Sequence, residues 1–188
     1  MEPHTELHPI ISERWSPRAL SGEPIDQASL DMLFEAARWA ASSYNAQPWK
    51  YIYAHKSTPE FQEMWDCLLP GNQPWTTKAS VIFACIAVDR FEHDGSVNAW
   101  AEHDLGAANA QLFLQATHMD IYGHLLAGVD KERASELLKI PDGEHLVCFG
   151  VLGRLAPPEI LEEPFRSRET APRMRKPLDA IRTEFTLD

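Results

Sequence analysis

Two guanidinium groups and a hydroxyl occupy alternate positions near the start of the chain, in the run Arg14-Trp15-Ser16-Pro17-Arg18. In an extended segment, residues two apart point the same way, so Arg14, Ser16 and Arg18 share one face. Such a face suits a phosphate group, because guanidinium groups bind phosphate through paired, charge-assisted hydrogen bonds. An ordinary basic surface patch would give the same pattern, and the motif alone favours that simpler interpretation.

A second basic cluster, Arg173-Met174-Arg175-Lys176, repeats this spacing near the other end of the chain. From residue 166 to residue 182 there are six Arg or Lys and two acidic residues, although the whole chain has a net charge of −11. A solvated basic tail would explain the second cluster. A single phosphate bound by both ends would explain why an acidic protein has two such clusters.

A run of small hydroxyl and amide side chains, Ala41-Ser42-Ser43-Tyr44-Asn45-Ala46-Gln47-Pro48-Trp49, joins a helical stretch to a strand-like segment. These side chains suit a planar, hydrogen-bonding ligand held against the backbone. Ser and Asn are also favoured at helix ends and turns for local reasons, so a plain turn is the alternative.

Composition limits the class of protein. The 188 residues, 44% of them hydrophobic, suit one domain with its own core. The acidic net charge argues against nucleic acid or an anionic membrane as the main partner. No apolar stretch approaches the roughly 20 residues that span a bilayer, and residues 1–13 have no signal-peptide core. We therefore expect a cytoplasmic protein.

The residues that could ligate a metal lack the spacing of a metal site. Cys67, Cys85 and Cys148 are far apart in the sequence, and two of them lie in apolar runs, so we interpret all three as structural. Glu102, His103 and Asp104 are adjacent, but neighbouring residues on a helix point in different directions. The sequence therefore predicts no metal site.

The elements that must position these motifs alternate between helices and strands. Apolar periodicity predicts helices at 25–41, 61–69, 100–118 and 131–138, and strands at 49–54, 80–88, 121–126 and 146–152. Asp26 is placed to cap the first of these helices. Five prolines follow Ala156 within about twenty residues, which predicts that 157–188 form an extended arm without regular structure. We expect this arm to wrap a partner subunit.

In this order, the segments resemble the nitroreductase family of FMN-dependent oxidoreductases, from about residue 10 to residue 180. The motifs that carry the resemblance are Arg-x-Ser-x-Arg at 14–18, Ser-x-Asn-x-Gln-Pro-Trp at 43–49, Gly-Asn-Gln-Pro-Trp at 71–75, Gly-Val-Asp at 128–130 and Arg-x-Arg-Lys-Pro-Leu at 173–178. The resemblance implies an α+β sandwich in which helices flank a central, mostly antiparallel sheet. It also implies a homodimer with exchanged terminal segments, made of one domain over residues 1–188.

The resemblance further implies which residues bind FMN. The phosphate and ribityl chain would be held by Arg14, Ser16 and Arg18, with Arg173 and Arg175 completing the clamp. Ser42, Ser43 and Asn45 would contact the flavin from the neighbouring subunit. Asn72, Leu125, Ala127 and Gly128 would lie against the ring, with backbone N–H groups directed toward it. The remaining expected cofactor contacts are Trp15, Gln47 and Trp75.

Some positions depart from common family patterns. Trp15 replaces a frequent Arg or His, Ala41 a frequent Pro, and Ala127 a Glu of some members. Trp75 stands where some members have a Lys that contacts the flavin, so a positive charge near the reduced flavin would be absent. These departures bear on the flavin potential and on substrate preference more than on FMN binding.

The implied activity is a ping-pong reaction in which NAD(P)H reduces the flavin and a nitroaromatic, quinone or enone then reoxidises it. His103 is a candidate proton donor and Trp100 a candidate substrate contact, although core packing is the favoured interpretation of Trp100. The alternatives are a flavin storage protein, a specialised flavin enzyme that NAD(P)H does not reduce, and an acidic interaction domain that binds no flavin. The sequence identifies neither the acceptor nor the preferred nicotinamide nucleotide.

Overall fold

A four-stranded sheet forms the centre of the molecule in a computed structural model that describes residues 7–187. Residues 1–6 and 188 of the predicted single domain lie outside this description. The strands are β1 (Trp49–His55), β2 (Val81–Val88), β3 (Tyr122–Leu126) and β4 (Glu144–Gly153). Their order is β1-β2-β4-β3, and every neighbouring pair is antiparallel. The predicted antiparallel sheet is confirmed, and β3 is one of its edges.

Helices cover both faces of this sheet. They are α1 (Pro9–Glu13), α2 (Gln27–Arg38), α3 (Pro59–Trp65), α4 (Gln73–Thr76), α5 (Ala101–His118), α6 (Lys131–Leu137) and α7 (Phe165–Thr170). Short 3-10 turns lie at Ser43–Asn45, Pro158–Ile160 and Leu178–Ala180. This arrangement confirms the expected α+β sandwich. None of the described helices is both long and apolar enough to cross a bilayer.

The central strand β2 shows why the sheet lies between two helical layers. Its apolar residues alternate between two hydrophobic clusters, as the period of two along a strand requires. Phe83 belongs to the cluster under α2 and α5, whereas Ile82 and Ala84 belong to the cluster under α3 and α6. A strand covered on both faces is accordingly almost continuously apolar, which was the pattern that predicted it.

The helix α2 begins where its capping residue predicts. The Asp26 carboxylate accepts a hydrogen bond from the Ser29 N–H at 2.7 Å, which satisfies one of the free donors of the first turn. Leu30, Leu33 and Ala37 then fall on one face and are at most 1% exposed. This face packs against α5, the long helix that forms one wall of the site described below.

Close contact between α5 and the edge strand β3 depends on Gly123. A Cβ atom at Gly123 would lie 2.0 Å from the Phe113 ring, so any larger residue would displace that side chain. The glycine therefore allows the Phe113 ring to lie against β3, where it forms part of the wall of the opening between α5 and β3.

The prediction that residues 157–188 lack regular structure is wrong for the first half of that segment. A 3-10 turn and α7 form there, and Leu161 and Glu169 are 5% and 8% exposed. Proline occupies the start of each helix, where its missing N–H is not needed. From residue 171 to residue 187 every residue is exposed, so the extended arm begins about fourteen residues later than predicted.

Candidate functional site

A cavity of about 350 Å³ opens at the edge strand β3, between α5 and the segment that follows α1. Its lining residues are Arg14, Ser16, Gly106, Asn109, Ala110, Phe113, His124 and Leu125. The walls combine apolar surface with a few polar groups, which is typical of sites for small organic ligands.

The two basic clusters meet at one end of this cavity, within one protomer. Arg173 donates from its guanidinium to the carbonyl oxygens of Ser12 and Arg14, at 2.8 and 2.9 Å. Partial burial, and after it the positive charges of Arg173 and Arg175, lower the pKa of Arg14. The contact that the sequence suggested between the chain ends is therefore present, and three guanidinium groups lie close together.

The charges in this cluster are not neutralised by carboxylates. Within residues 7–187, neither Arg14 nor Arg18 nor the two arginines of the arm takes part in an ion pair. Arg18 instead lies over the ring of Trp75, with its Cζ atom 5.6 Å from the ring centroid. In a chain with 28 acidic residues, four unpaired guanidinium groups, of which those of Arg14 and Arg18 are half-buried, indicate a site for an anion.

His124 contributes a neutral imidazole to the cavity wall. Its Nδ1 lies 3.1 Å from the Pro17 carbonyl oxygen, and its ring lies 4.7 Å from that of Trp75. Burial lowers the pKa of His124, and Arg18 lowers it further against the opposing effect of the Pro17 carbonyl. A neutral ring that donates from Nδ1 to a carbonyl keeps the lone pair on Nε2.

Asn109 supplies a buried amide to the same wall and is 5% exposed. Its Oδ1 accepts hydrogen bonds from the Tyr51 hydroxyl at 2.9 Å and from the Cys85 thiol at 3.5 Å. Burial raises the pKa of Tyr51, so this hydroxyl is a donor at neutral pH. Because both neighbours donate to Oδ1, the amide nitrogen is left as a donor for the cavity.

The loop after α2 is held in a strained conformation. Tyr44, Asn45 and Gln47 have φ values of 53°, 55° and 48°, which are uncommon for residues other than glycine. The Ser42 hydroxyl accepts from the Gln47 N–H at 3.0 Å, and the buried Asp104 carboxylate accepts from the Ser43 N–H at 2.8 Å. Asp104 thus fixes this loop to the first turn of α5.

The Gly-Asn-Gln-Pro-Trp and Gly-Val-Asp motifs lie against each other. The Asn72 amide donates to the Gly128 carbonyl oxygen at 3.1 Å, and the Leu69 N–H donates to the same oxygen at 3.0 Å. A Cβ atom at Gly128 would come within 2.8 Å of the Asn72 amide nitrogen. Outside the ladder that β3 forms with β4, the described residues offer no backbone hydrogen-bond acceptor to the N–H groups of Ala127 and Gly128.

The segment from Arg90 to Asp104 carries exposed aromatic side chains. Trp100 is 57% exposed, so the favoured interpretation that it packs in the core is wrong. His103 stacks edge-on against it at 5.6 Å and contacts Asp104 at 3.0 Å. Tyr44 lies edge-on to Phe91 at 5.6 Å, which connects this segment to the strained loop.

The structure brings together some of the predicted site residues and separates others. Arg14, Ser16 and Leu125 line the cavity, the arginines of the arm adjoin Arg14, and Trp75 lies behind His124. Trp15, within the Arg-x-Ser-x-Arg motif at 14–18, is half-buried. The cavity lining includes none of Ser42, Ser43, Asn45 and Gln47. Within residues 7–187, no group of three or more His, Cys, Asp or Glu side chains could hold a metal ion.

Sequence reasoning missed Asn109, His124 and Phe113 in the wall and Asp104 behind the loop. A polar residue inside an otherwise apolar strand or helix face was the available signal for His124 and Asn109. That signal identifies a buried polar group, but it does not show whether the group faces a ligand.

Comparison with known proteins agrees with this geometry. The profile of the nitroreductase family matches residues 11–154. A solved structure described as an oxidoreductase containing FMN has a TM-score of 0.93 to this chain at 34% sequence identity, covering 100% of this chain and 96% of that chain.

Two further proteins are similar over different extents. A Streptomyces coelicolor protein, provisionally named NADH dehydrogenase/NAD(P)H nitroreductase, is 39% identical over 75 residues, 38% of this chain and 34% of that protein. A structure from Desulfovibrio desulfuricans, provisionally described as a nitroreductase in complex with FMN, has a TM-score of 0.74 at 19% identity. It covers 99% of this chain and 100% of that chain, and at this identity it shows a shared fold.

Proposed function

The chain belongs to the nitroreductase family, and on that basis we propose that it is an FMN-dependent oxidoreductase that uses NAD(P)H to reduce small electron-poor acceptors. The observation that carries the proposal is the group of unpaired arginines from both chain ends at one end of a cavity of about 350 Å³. A bound anion would account for an acidic protein that keeps these charges unpaired.

The residues present fit FMN in the chemistry of their donors. Arg14, Ser16 and Arg18, with the arm arginines beside them, are donors for a phosphate group. Phe113 and Leu125 offer apolar surface for a flat ring, and the Asn109 amide offers a hydrogen-bond donor in the lining of the same cavity. The backbone N–H groups of Ala127 and Gly128, directly beyond the end of β3, are suited to stabilise negative charge on a bound ring.

When bound, FMN would supply the hydride-transfer chemistry that links oxidation of NAD(P)H to reduction of an acceptor. The side chains of this protein bind and orient. The neutral His124 can hold a proton at Nδ1 and accept one at Nε2, so it can exchange protons in the wall without adding a permanent charge. No acid–base pair of side chains is required for this reaction.

We propose that a second copy of the chain completes the site. The strained loop of Ser42 to Gln47 carries the hydrogen-bonding groups expected at the flavin, yet it is absent from the cavity lining of its own protomer. Asp104 and the Ser42 hydroxyl hold it in a fixed shape, as a preformed binding loop would be held. Insertion of this loop into the partner's cavity would explain both its hydrogen-bonding groups and its fixed shape.

One observation favours a second candidate, a flavin-binding protein that NAD(P)H does not reduce. The buried Trp75, 4% exposed, stands where some members of the family have a Lys, and its ring is covered by Arg18 and His124. Arg18 brings a positive charge to this region, with its Cζ atom 5.6 Å from the centroid of the Trp75 ring. Reduction of bound flavin by NAD(P)H separates the two candidates.

The test is an absorbance spectrum of the purified protein after incubation with FMN and desalting, followed by anaerobic addition of NADH or NADPH. We expect retained flavin bands that bleach with one of the nucleotides and return when a quinone or nitroaromatic is added. Retained bands that neither nucleotide bleaches would favour the second candidate. A folded but colourless protein would overturn FMN binding altogether.

A matched pair of variants ties the result to the site. Arg14→Gln removes a guanidinium from the cavity, whereas Arg38→Gln removes one that pairs with Glu35 on the surface of α2. We expect the first variant to emerge from desalting with less FMN than the wild type and the second to retain as much. Equal losses would show that total charge, and not the cavity, governs binding.

A further inference from the structure

We propose that Glu169 is a positioning residue that holds the phosphate-binding segment and the C-terminal arm in one arrangement, an inference that rests on the proposed FMN site. Glu169 lies on α7, outside every motif of the sequence analysis. It acts through the backbone of Arg18 and Ala19 and touches no residue of the cavity lining directly.

The contacts of this carboxylate are made with backbone groups 150 residues away in the sequence. The Arg18 N–H donates to both carboxylate oxygens at 2.9 Å, and the Ala19 N–H donates to Oε1 at 2.9 Å. Glu169 is 8% exposed, and Ala19 is 1% exposed. A buried charge that is satisfied by two successive N–H groups fixes the path of the chain at that point.

The same contacts leave the arginines free. Within the described residues Glu169 forms no ion pair, although it is the buried acid that adjoins the Arg-x-Ser-x-Arg segment. Since its oxygens accept from the backbone, the Arg18 guanidinium stays over Trp75 and remains unneutralised. The carboxylate thus orders the segment without competing with a phosphate for the guanidinium group.

A second set of hydrogen bonds joins the C-terminal part of the chain to the N-terminal segment, and here the C-terminal residue is the donor. Arg173 follows Glu169 by four residues and donates to the carbonyl oxygens of Ser12 and Arg14. Glu169 accepts hydrogen bonds from the backbone of Arg18 and Ala19, and Arg173 donates hydrogen bonds to the backbone of Ser12 and Arg14. The arm therefore cannot shift without disturbing both sets of hydrogen bonds. Binding of a phosphate and docking of the arm are therefore coupled through these two residues.

The test compares two ligands that differ in the phosphate. FMN carries this group and riboflavin lacks it. A residue that positions the Arg-x-Ser-x-Arg motif at 14–18 should therefore affect the affinity for FMN alone. We expect Glu169→Gln to raise the FMN dissociation constant about tenfold, because the substitution removes the charge that strengthens these hydrogen bonds and replaces one accepting oxygen with an N–H donor. The riboflavin dissociation constant should change by less than about twofold. Glu162→Gln, an exposed carboxylate of the same segment, should leave both constants unchanged.

A second readout uses inorganic phosphate alone and needs no flavin. Phosphate should raise the melting temperature of the wild type and of Glu162→Gln, but not that of Glu169→Gln. Circular dichroism reports whether each variant is folded, and Glu169→Asp, which keeps the charge but is shorter, replaces the amide variant if that one does not fold. Equal weakening of FMN and riboflavin, or an unchanged response to phosphate, would overturn the proposal. A wild type that responds to phosphate and binds no flavin would overturn the proposed function and leave this inference standing.

Discussion

The amide of Asn109 presents one of its two ends to the cavity, and its neighbours determine which. Tyr51 and Cys85 both donate to Oδ1, so the nitrogen is the end available to a ligand. To present a hydrogen-bond acceptor at this position instead, Asn109 would need neighbours that accept from its amide nitrogen. The wall is thus built to meet an oxygen atom of the ligand, such as a hydroxyl or a carbonyl.

Replacing this donor with an acceptor should weaken flavin binding. We expect Asn109→Asp to raise the dissociation constant of FMN about tenfold or more, because the carboxylate offers no donor and repels ligand oxygens. The measurement is a titration of flavin fluorescence. Gln111→Glu makes the same change in charge on the same helix, outside the cavity lining, and should bind FMN as the wild type does. Similar losses in both variants would mean that the amide of Asn109 has no specific role.

His124 should make folding stability depend on pH. Its pKa in the folded protein is below the ordinary value of 6.5 because burial, and then Arg18, disfavour the charged ring. The unfolded chain therefore takes up a proton at a higher pH than the folded protein does. The contribution to stability is complete above about pH 7.5 and is lost as the pH falls through about 6.5 toward the lowered pKa.

We expect denaturant unfolding to show a fall in the free energy of unfolding between about pH 7.5 and pH 5.5, part of which disappears in His124→Asn. His118→Asn removes an exposed histidine at the end of α5 and should leave the pH dependence unchanged. If the curves of the wild type and of His124→Asn are parallel, His124 is not the group responsible.

The residues of the site differ in how well the sequence predicts them. Arg14, Ser16 and Arg18 could be identified because their chemistry repeats along one short segment, where spacing alone sets the shared face. Asn109 and Glu169 could not, because their partners are 58 and 151 residues away and are brought to them by the sheet register and by chain packing. Local spacing contains no information about such contacts.

At the scale of elements, the C-terminal arm brings Arg173 and Arg175 close to Arg14. Ending the chain after Ala171 removes both Arg173 and Arg175 and leaves Glu169 in place. We expect the dissociation constant of FMN to rise by about two orders of magnitude, because two charge-assisted phosphate contacts are lost together. Isothermal titration of the truncated protein with FMN measures the change.

A shorter truncation provides the control for this experiment. Ending the chain after Thr183 removes Phe185 and Leu187 but keeps every arginine of the cluster, so FMN affinity should change little. If the two truncations bind FMN equally, the arm arginines do not contribute to the site.

The elements themselves were predicted well where local signals coincide with packing. Asp26 capped α2 as expected, and the burial of β2 on both faces followed from its continuous apolar run. The arm was predicted less well, because proline excludes helix interiors but is accepted at helix starts. The prolines at 158 and 164 thus begin short helices that a rule based on proline content alone rejects.

At the scale of the whole molecule, one protomer leaves two features without a counterpart. The loop of residues 42–47 has a fixed shape but lines no part of its own cavity. The arm exposes Met174 and Ile181 at 76% and 66%, which is unusual for side chains that water disfavours. A second copy that receives the loop at its cavity and the arm on its surface would account for both.

We therefore predict a dimer in solution, with FMN and dimer formation linked by mass action because the ligand would contact both copies. Analytical ultracentrifugation should give twice the mass of the chain, and FMN should shift the remaining monomer toward the dimer. Ile181→Asp changes a residue that is exposed in the protomer, so it should weaken the dimer and lower FMN affinity without unfolding the monomer. Met32→Asp, a comparable change on the outer face of α2, should affect neither. A wild type that stays monomeric while it binds FMN tightly would show that one protomer forms the entire site.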